Sequence, residues 1–281
     1  MTQPAIPEAR FIDLQSGLRI HYHDVGEGPA VIFVHGSGPG GSGYSNFKMN
    51  FPAFGEAGFR AIVPDLPGYG LSSKPTTVQY TLDFLTQAIV DFCHALDLEA
   101  VFLIGNSLGG AISIQTALSH PTLVKRLILM APGGLEERET YMAMPGIKSM
   151  LRSIFGPEGI TPEGMRKVFS KQLFNPSLIT DELIAERYAV ATKQPQEVFS
   201  TSRVPNLAAR LKDLTCPVFA LWGMDDQFCP VSGARTIAES CKNNRVLTLS
   251  RCGHWVMVEY RELFNKVCVD FLREEHSHSL S

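Results

Sequence analysis

The segment Leu103–Ile112, L-I-G-N-S-L-G-G-A-I, sets Ser107 between glycines directly after an apolar run. A serine hydroxyl becomes a useful nucleophile when a base takes its proton and an acid orients that base. The pattern Gly105-x-Ser107-x-Gly109 is short enough to arise by chance, so it needs a structural setting and two partners. Val101–Ile104 reads as a buried strand and Ser107–Ser119 as a helix, which places Ser107 at a strand–turn–helix junction. Small residues at Gly105, Gly109 and Gly110 would let that helix approach the neighbouring strands closely. The helix start would aim the positive end of its dipole at an oxyanion. A serine that merely caps the helix is the competing reading, and it loses ground only if partners exist.

Among eight histidines, His254 in S-R-C-G-H-W has the best setting, after the strand-like Arg245–Ser250 and before the last helix. His94 and His120 fall in or at the end of helices, where surface or capping roles suffice. The acid should follow a strand between serine and histidine. W-G-M-D-D-Q-F-C-P supplies Asp225 and Asp226 directly after Val218–Trp222, and residue pattern alone leaves the two even. His21 and His23 could share a strand face, but two imidazoles without a third ligand do not make a metal site, and no metal or cofactor is expected.

The elements that must position these residues alternate. Val31–Val34, Val101–Ile104, Leu127–Met130 and Val218–Trp222 are short, apolar on both faces and followed by glycine, as buried parallel strands are. Phe59–Val63 is a fifth such run. Thr81–Leu98 carries Leu82, Leu85, Ile89, Phe92 and Leu96 on one stripe behind a capping Thr81. Val231–Cys241 and Glu259–Glu275 are further helices. Arg10–Leu14 and Leu18–Asp24 read as an antiparallel pair turning at Gly17. The pattern predicts a mostly parallel, twisted α/β sheet flanked by helices. Residues 135–205 break the rhythm with methionines, prolines and helix-like stretches, and are expected to form an inserted helical lid on a core built from 1–134 and 206–281. The tail H-S-H-S-L-S is expected to be disordered, with solvated His276 and His278.

Composition narrows the function. With 281 residues, 44% hydrophobic content and a formal net charge of −3, the chain suits a globular protein with a substantial core. The absence of a Lys/Arg cluster argues against nucleic acid as a partner. The start M-T-Q-P-A-I-P-E-A-R lacks a basic segment followed by an apolar one, and no apolar run reaches the ~20 residues of a membrane span. Six cysteines without a C-x-x-C pair are expected to be reduced and buried in a cytoplasmic protein.

The order Ser107, Asp226, His254 is that of the α/β-hydrolases. Within them the chain resembles the meta-cleavage product hydrolases, which cleave carbon–carbon bonds in aromatic degradation. The resemblance runs from R-I-H-Y-H-D-V-G-E-G to V-D-F-L, and rests on H-G-S-G-P-G-G-S-G-Y-S-N, G-N-S-L-G-G, L-I-L-M-A-P-G-G-L, L-I-T-D-E-L-I-A-E-R-Y and C-G-H-W. It implies a triad of Ser107, Asp226 and His254, with Asp226 preferred because the family acid stands four residues before the proline, here Pro230. It implies an oxyanion hole from the N–H groups of Ser37 and Leu108, with Gly38 as substitute for Ser37. Arg187 matches a lid arginine that holds a substrate carboxylate; by its own sequence setting it would read as a surface charge. Asn46 and Asn106 match polar residues near the substrate's oxygenated end, and Trp255 a tryptophan beside the histidine. The implied substrate is a small-molecule 2-hydroxy-6-oxo-dienoate carboxylate, and the implied assembly a homodimer or larger homo-oligomer. Met224 and Gln227 depart from the pattern, standing where arginines are usual. An esterase or amidase using the same triad is the alternative, and a binding protein without turnover is a third reading.

Overall fold

The computed structural model describes residues 6–274, so the tail histidines lie outside the described residues. Eight strands form one sheet: β1 (Arg10–Asp13), β2 (Arg19–Val25), β3 (Ala30–Val34), β4 (Arg60–Pro64), β5 (Val101–Asn106), β6 (Val124–Met130), β7 (Val218–Gly223) and β8 (Asn244–Leu249). Their order is β1-β2-β4-β3-β5-β6-β7-β8. β1 and β2 form the expected antiparallel pair, turning at Gly17 with φ of 82°, and β2 is also antiparallel to β4. From β4 to β8 every pairing is parallel. The chain leaves β3 toward β4 on one side and returns to β5 on the other, creating the crevice at the strands' carboxyl ends where such sheets bind ligands.

Strand period two divides the core. Along β3, Ile32 and Val34 enter one buried cluster, while Val31 and Phe33 enter the other. Helices cover both. Between β3 and β4 run α1 (Gly43–Phe47) and α2 (Phe51–Glu56), and α3 (Leu82–Ala95) and α4 (Leu108–Ser119) flank β5. From β6 to β7 the chain forms α5 (Arg138–Ala143), α6 (Pro145–Phe155), α7 (Pro162–Gln172), α8 (Asp181–Ala191) and α9 (Glu197–Ser200). α10 (Ser232–Ser240) precedes β8, and α11 (Val256–Glu259) and α12 (Arg261–Arg273) end the described chain. Thr81 caps α3 as its sequence predicts, its hydroxyl accepting from the Phe84 N–H at 3.2 Å. Two features differ from expectation. α1 and α2 carry no sequence forecast, since five or six residues show no periodicity. The expected last helix is α12, and the four-residue α11 before it, set off at Tyr260 with φ of −118° and ψ of 41°, carries no forecast either.

A buried carboxylate organises the loops above β2, β3 and β4. Asp65 Oδ2 meets His21 Nδ1 at 2.8 Å and accepts from the Leu71 N–H at 2.8 Å, while Oδ1 accepts from the Gly43 N–H at 2.8 Å. Burial alone would raise this carboxyl, but the His21 bond, the His21 and His35 rings and the Leu71 N–H outweigh it and hold it below the usual range. His35 lies 2.8 Å through Nδ1 from the Gly36 carbonyl, and its Nε2 accepts from the Leu66 N–H at 3.0 Å. Those two bonds fix a neutral ring with its proton on Nδ1. Burial lowers its pKa to about 4.

A histidine buried neutral makes stability depend on pH. Below its unfolded value of 6.5 the unfolded chain takes up a proton that the native His35 refuses, so the unfolded state gains. Stabilisation from neutral His35 is complete above that value and is lost as pH falls through about 4. His23, lowered mainly by burial, acts in the same direction. Denaturant unfolding measured between neutral pH and the folded-state value should show the free energy falling by up to about 3 kcal/mol for His35 alone. His35→Asn, which takes up no proton, should flatten that dependence.

Candidate active site

Ser107 follows β5 with φ of 55° and ψ of −116°, a conformation that side chains other than glycine's rarely adopt. Packing enforces it. A Cβ on Gly109 would lie 2.0 Å from the Val34 carbonyl oxygen, and one on Gly105 would lie 2.4 Å from the Gly109 oxygen. The turn is pinned by the Ser107 N–H to the Met130 carbonyl at 3.0 Å and by the Gly133 N–H to the Ser107 carbonyl at 2.9 Å. Ser107 occupies the N-cap position of α4, yet its side chain makes no capping bond. The hydroxyl is thus released from the role that the competing sequence reading gave it.

Asp226 and His254 stand after β7 and β8. His254 Nδ1 lies 2.7 Å from Asp226 Oδ2, with both side chains buried. The other oxygen, Oδ1, accepts from the Phe228 N–H at 2.7 Å and the Cys229 N–H at 2.9 Å, which fixes the plane of the carboxylate. With Nδ1 as donor to a carboxylate, Nε2 keeps its lone pair and can act as a base. The Phe228 ring stacks on His254 at 5.2 Å. Asp225, left even with Asp226 by residue pattern, is exposed and instead accepts from the Cys252 N–H at 3.3 Å.

A cleft of about 540 Å³ opens over Ser107, lined by Ser37, Leu108, Tyr141, Ile147 and Cys229, with exposed Glu137, Arg138 and Arg203 at its margin. Leu108 is the first residue of α4, where an N–H has no intrahelical carbonyl to bond. Ser37 lines the same cleft as Ser107 and Leu108, and the next residue, Gly38, takes φ of 132° as the loop turns. Burial and then the Asp226 charge push the Cys229 thiol well above the usual range, so it forms a neutral wall beside Ser107 rather than a second nucleophile.

Arg187 is not at the surface. It is 3% exposed, on α8. Its Nη2 donates to Asn46 Oδ1 at 3.0 Å and to the Ser45 carbonyl at 3.2 Å, and the guanidinium lies 5.1 Å from the Trp255 ring and 5.6 Å from Phe169. Its Nε has no hydrogen-bond partner, and among the described residues no carboxylate lies within ion-pairing distance. Burial lowers its pKa to about 10. Asn46 and Trp255 are therefore joined to Arg187 directly. Asn106 is buried at the end of β5, its amide donating to the Met130 carbonyl at 3.2 Å.

Three comparisons bear on this arrangement. The α/β hydrolase fold family model matches residues 29–259. A 2-hydroxy-6-oxononadienedioate/2-hydroxy-6-oxononatrienedioate hydrolase of Comamonas testosteroni is 35% identical over 92% of each chain. A 2-hydroxy-6-oxo-6-phenylhexa-2,4-dienoate hydrolase of Burkholderia cepacia is also 35% identical over 92% of each chain. Among solved structures, the meta-cleavage product hydrolase of Pseudomonas fluorescens IP01 superposes with a TM-score of 0.83 at 30% identity, covering 94% of this chain and 97% of its own. This chain belongs to the meta-cleavage product hydrolase family of α/β-hydrolases.

In this meta-cleavage product hydrolase the two departures noted in the sequence fall outside the cleft over Ser107. Met224 is half exposed, and the Gln227 carbonyl accepts from the Gly146 N–H at 2.8 Å. Phe169, Gln172, Gln194 and Cys229 were not singled out by sequence. Gln194 Oε1 accepts from the Gly40 N–H at 3.0 Å, tying α8's end to the loop that carries Ser37. No periodicity or motif marks such contacts, because each depends on the inserted helices meeting the core. The geometry separates the adjacent aspartates experimentally. Asp226→Asn should lower kcat by about 10⁴-fold with the protein still folded, because the imidazole loses its oriented tautomer. Asp225→Asn should lower it by less than about tenfold, since only one long backbone bond is affected. Steady-state kinetics and circular dichroism of both variants check this.

Proposed function

We propose that the chain hydrolyses a carbon–carbon bond in a 2-hydroxy-6-oxo-hexa-2,4-dienoate, a vinylogous 1,5-diketone ring-fission product of aromatic degradation. The products are a 2-hydroxy-2,4-dienoate and a carboxylic acid. The observation that carries this reading is Arg187, a buried cation with an unbonded Nε and, among the described residues, no carboxylate within ion-pairing distance, Glu186 nearby being paired with Lys48. Such a charge is costly to bury unless an anion joins it, and a substrate carboxylate supplies one with the bidentate geometry a guanidinium favours. Trp255 and Phe169 flank the site with flat apolar walls suited to a conjugated chain.

The division of labour follows. The helical lid, residues 135–205, brings Arg187 to the core, residues 1–134 and 206–281, which supplies the nucleophile, base and acid. Arg187, with Asn46 and Asn106, holds the carboxylate and the C2 oxygen. A proton moves from the 2-hydroxyl to C5, giving the ketone that can accept electrons. His254, oriented by Asp226, takes the Ser107 proton as the serine oxygen attacks the C6 carbonyl. The N–H groups of Ser37 and Leu108 face the oxyanion; one such donor is worth about 2.7–4 kcal/mol of barrier. Collapse breaks the C5–C6 bond, and its electron pair passes into the dienolate ending at the C2 oxygen. His254 returns its proton, and water releases the acid from Ser107. The dienolate leaves more easily than a simple carbanion because its charge spreads over the conjugated oxygen. A cytoplasmic location goes with this reading, supported by six free, buried thiols. The family likeness also suggests a homo-oligomer.

Two substrates test the reading. Purified protein should bleach a yellow 2-hydroxy-6-oxo-dienoate and release one carboxylic acid per dienoate consumed; bleaching without acid would mean tautomerisation alone. Arg187→Ala should lower kcat/KM on the dienoate by about 10²-fold or more, the loss expected for an ionic hydrogen-bonded contact, yet leave p-nitrophenyl ester hydrolysis within about threefold. Equal losses on both substrates would favour an esterase.

A further inference from the structure

Four consecutive N–H groups in the loop that carries His254 are all tethered, through three acceptors. The Cys252 N–H reaches Asp225 Oδ2, and the Gly253 N–H reaches Glu259 Oε2 at 2.6 Å. The N–H groups of His254 and Trp255 both reach the Gln172 carbonyl, at 2.7 and 3.3 Å. Gln172 ends α7, in the inserted segment, and a Cβ on Gly253 would lie 2.5 Å from its oxygen. The second oxygen of Glu259 accepts from the Asn175 N–H at 2.8 Å, three residues beyond Gln172. One half-buried carboxylate therefore holds the histidine loop with one oxygen and the inserted helical segment with the other.

We propose that Glu259 is a positioning residue for His254, a latch that keeps the imidazole in register with Ser107 by fastening its loop to the lid. This rests on the hydrolase reading above. The chemistry requires a carboxylate. Both partners are N–H donors, and an ionised carboxyl is the side chain that accepts through each oxygen. Glutamine has the same shape but one accepting oxygen, so its NH₂ must oppose either Gly253 or Asn175. The imidazole is anchored to Asp226 through Nδ1, but that bond fixes the ring only as well as the backbone carrying it stays in place. Reacting groups displaced by about 1 Å lose on the order of 10²-fold in rate.

The test is Glu259→Gln, assayed on a 2-hydroxy-6-oxo-dienoate, with hydrogen exchange read at single amides. The expected result is a fall in kcat of about tenfold to a hundredfold. KM should stay within about twofold, since the carboxylate contact at Arg187 is untouched. Exchange at Gly253, His254 and Asn175 should quicken together while amides of β5 and β7 stay protected. Glu259→Ala should behave alike. A kcat within about twofold of the parent protein, or unchanged exchange at the three amides, would overturn the proposal. So would quickened exchange throughout the sheet, with kcat falling only as the folded fraction falls. If the parent protein itself releases no acid from the dienoate, the hydrolase reading fails first, and the exchange pattern still reports separately on the latch.

Discussion

The turn at Ser107 is the constraint on which the site depends. Its left-handed backbone costs on the order of 1–3 kcal/mol and persists only where surrounding structure leaves no alternative. Here the alternative is removed by backbone meeting backbone. Gly109 lies against the carbonyl of Val34 at the end of β3, and Gly105 lies against Gly109. β3 and β5 are neighbours in register, Val34 opposite Gly105, so the ends of both strands and the start of α4 are drawn to one point. That contact brings Ser37 and Leu108 to the same cleft as Ser107. Larger residues at either glycine would separate strand from helix and dissolve turn and donor positions together.

Around this rigid centre the protein buries charge in two ways. Asp65 is neutralised internally, each oxygen used by backbone N–H groups and by His21. The partly exposed Lys48–Glu186 pair closes between the end of α1 and α8, with one Glu186 oxygen left over. Arg187, the next residue on α8, does not close: its bonds go to neutral oxygens and to aromatic faces. Arg126, the other buried arginine, also meets only a carbonyl, that of Glu274, and an aromatic face, Phe271, but among the described residues Arg187 is the arginine left with a buried nitrogen that nothing accepts from. That contrast carries more weight than the arginine alone, because buried arginines with full protein partners are ordinary structural features.

Much of the scaffold was legible in the sequence, for reasons visible in particular residues. β3, β5, β7 and the Leu127–Met130 part of β6 are mostly buried on both faces, so each reads as an apolar run, and the only ambiguity is helix against strand, which length resolves. Thr81 signals the start of α3 by local chemistry alone. Asp225 against Asp226 was not legible from pattern, because the two differ by one step around a tight turn. What separates them is that Asp226 folds back to accept from Phe228 and Cys229 and then has an oxygen left for His254. Arg187 reads as a surface charge because α8 has almost no amphipathic stripe; its docking against α1, Phe169 and Trp255 buries the guanidinium. The double role of Glu259 is invisible for the same reason: its partners lie at Gly253, six residues back, and at Asn175, in the inserted segment.

The two ends of a dienoate would be held to different standards. In the proposed reading, the carboxylate is fixed by Arg187 and the reacting carbonyl by the turn at Ser107, so the span between them is set by how α8 seats on the core. That seating is tight. A Cβ on Gly40 would lie 2.0 Å from the Arg187 carbonyl oxygen, so the loop of Ser37 packs directly on the backbone that carries the guanidinium. Gln194 bonds the same Gly40 N–H. A substrate with a shorter or longer conjugated chain would place its carbonyl away from the hydroxyl, and rate falls steeply with such displacement. The acyl side differs: the cleft over Ser107 is bordered by Tyr141 and Ile147 and by exposed charged residues. Selectivity should therefore be strict in the dienoate backbone and permissive in the acyl group, because only the former is measured between two rigid anchors.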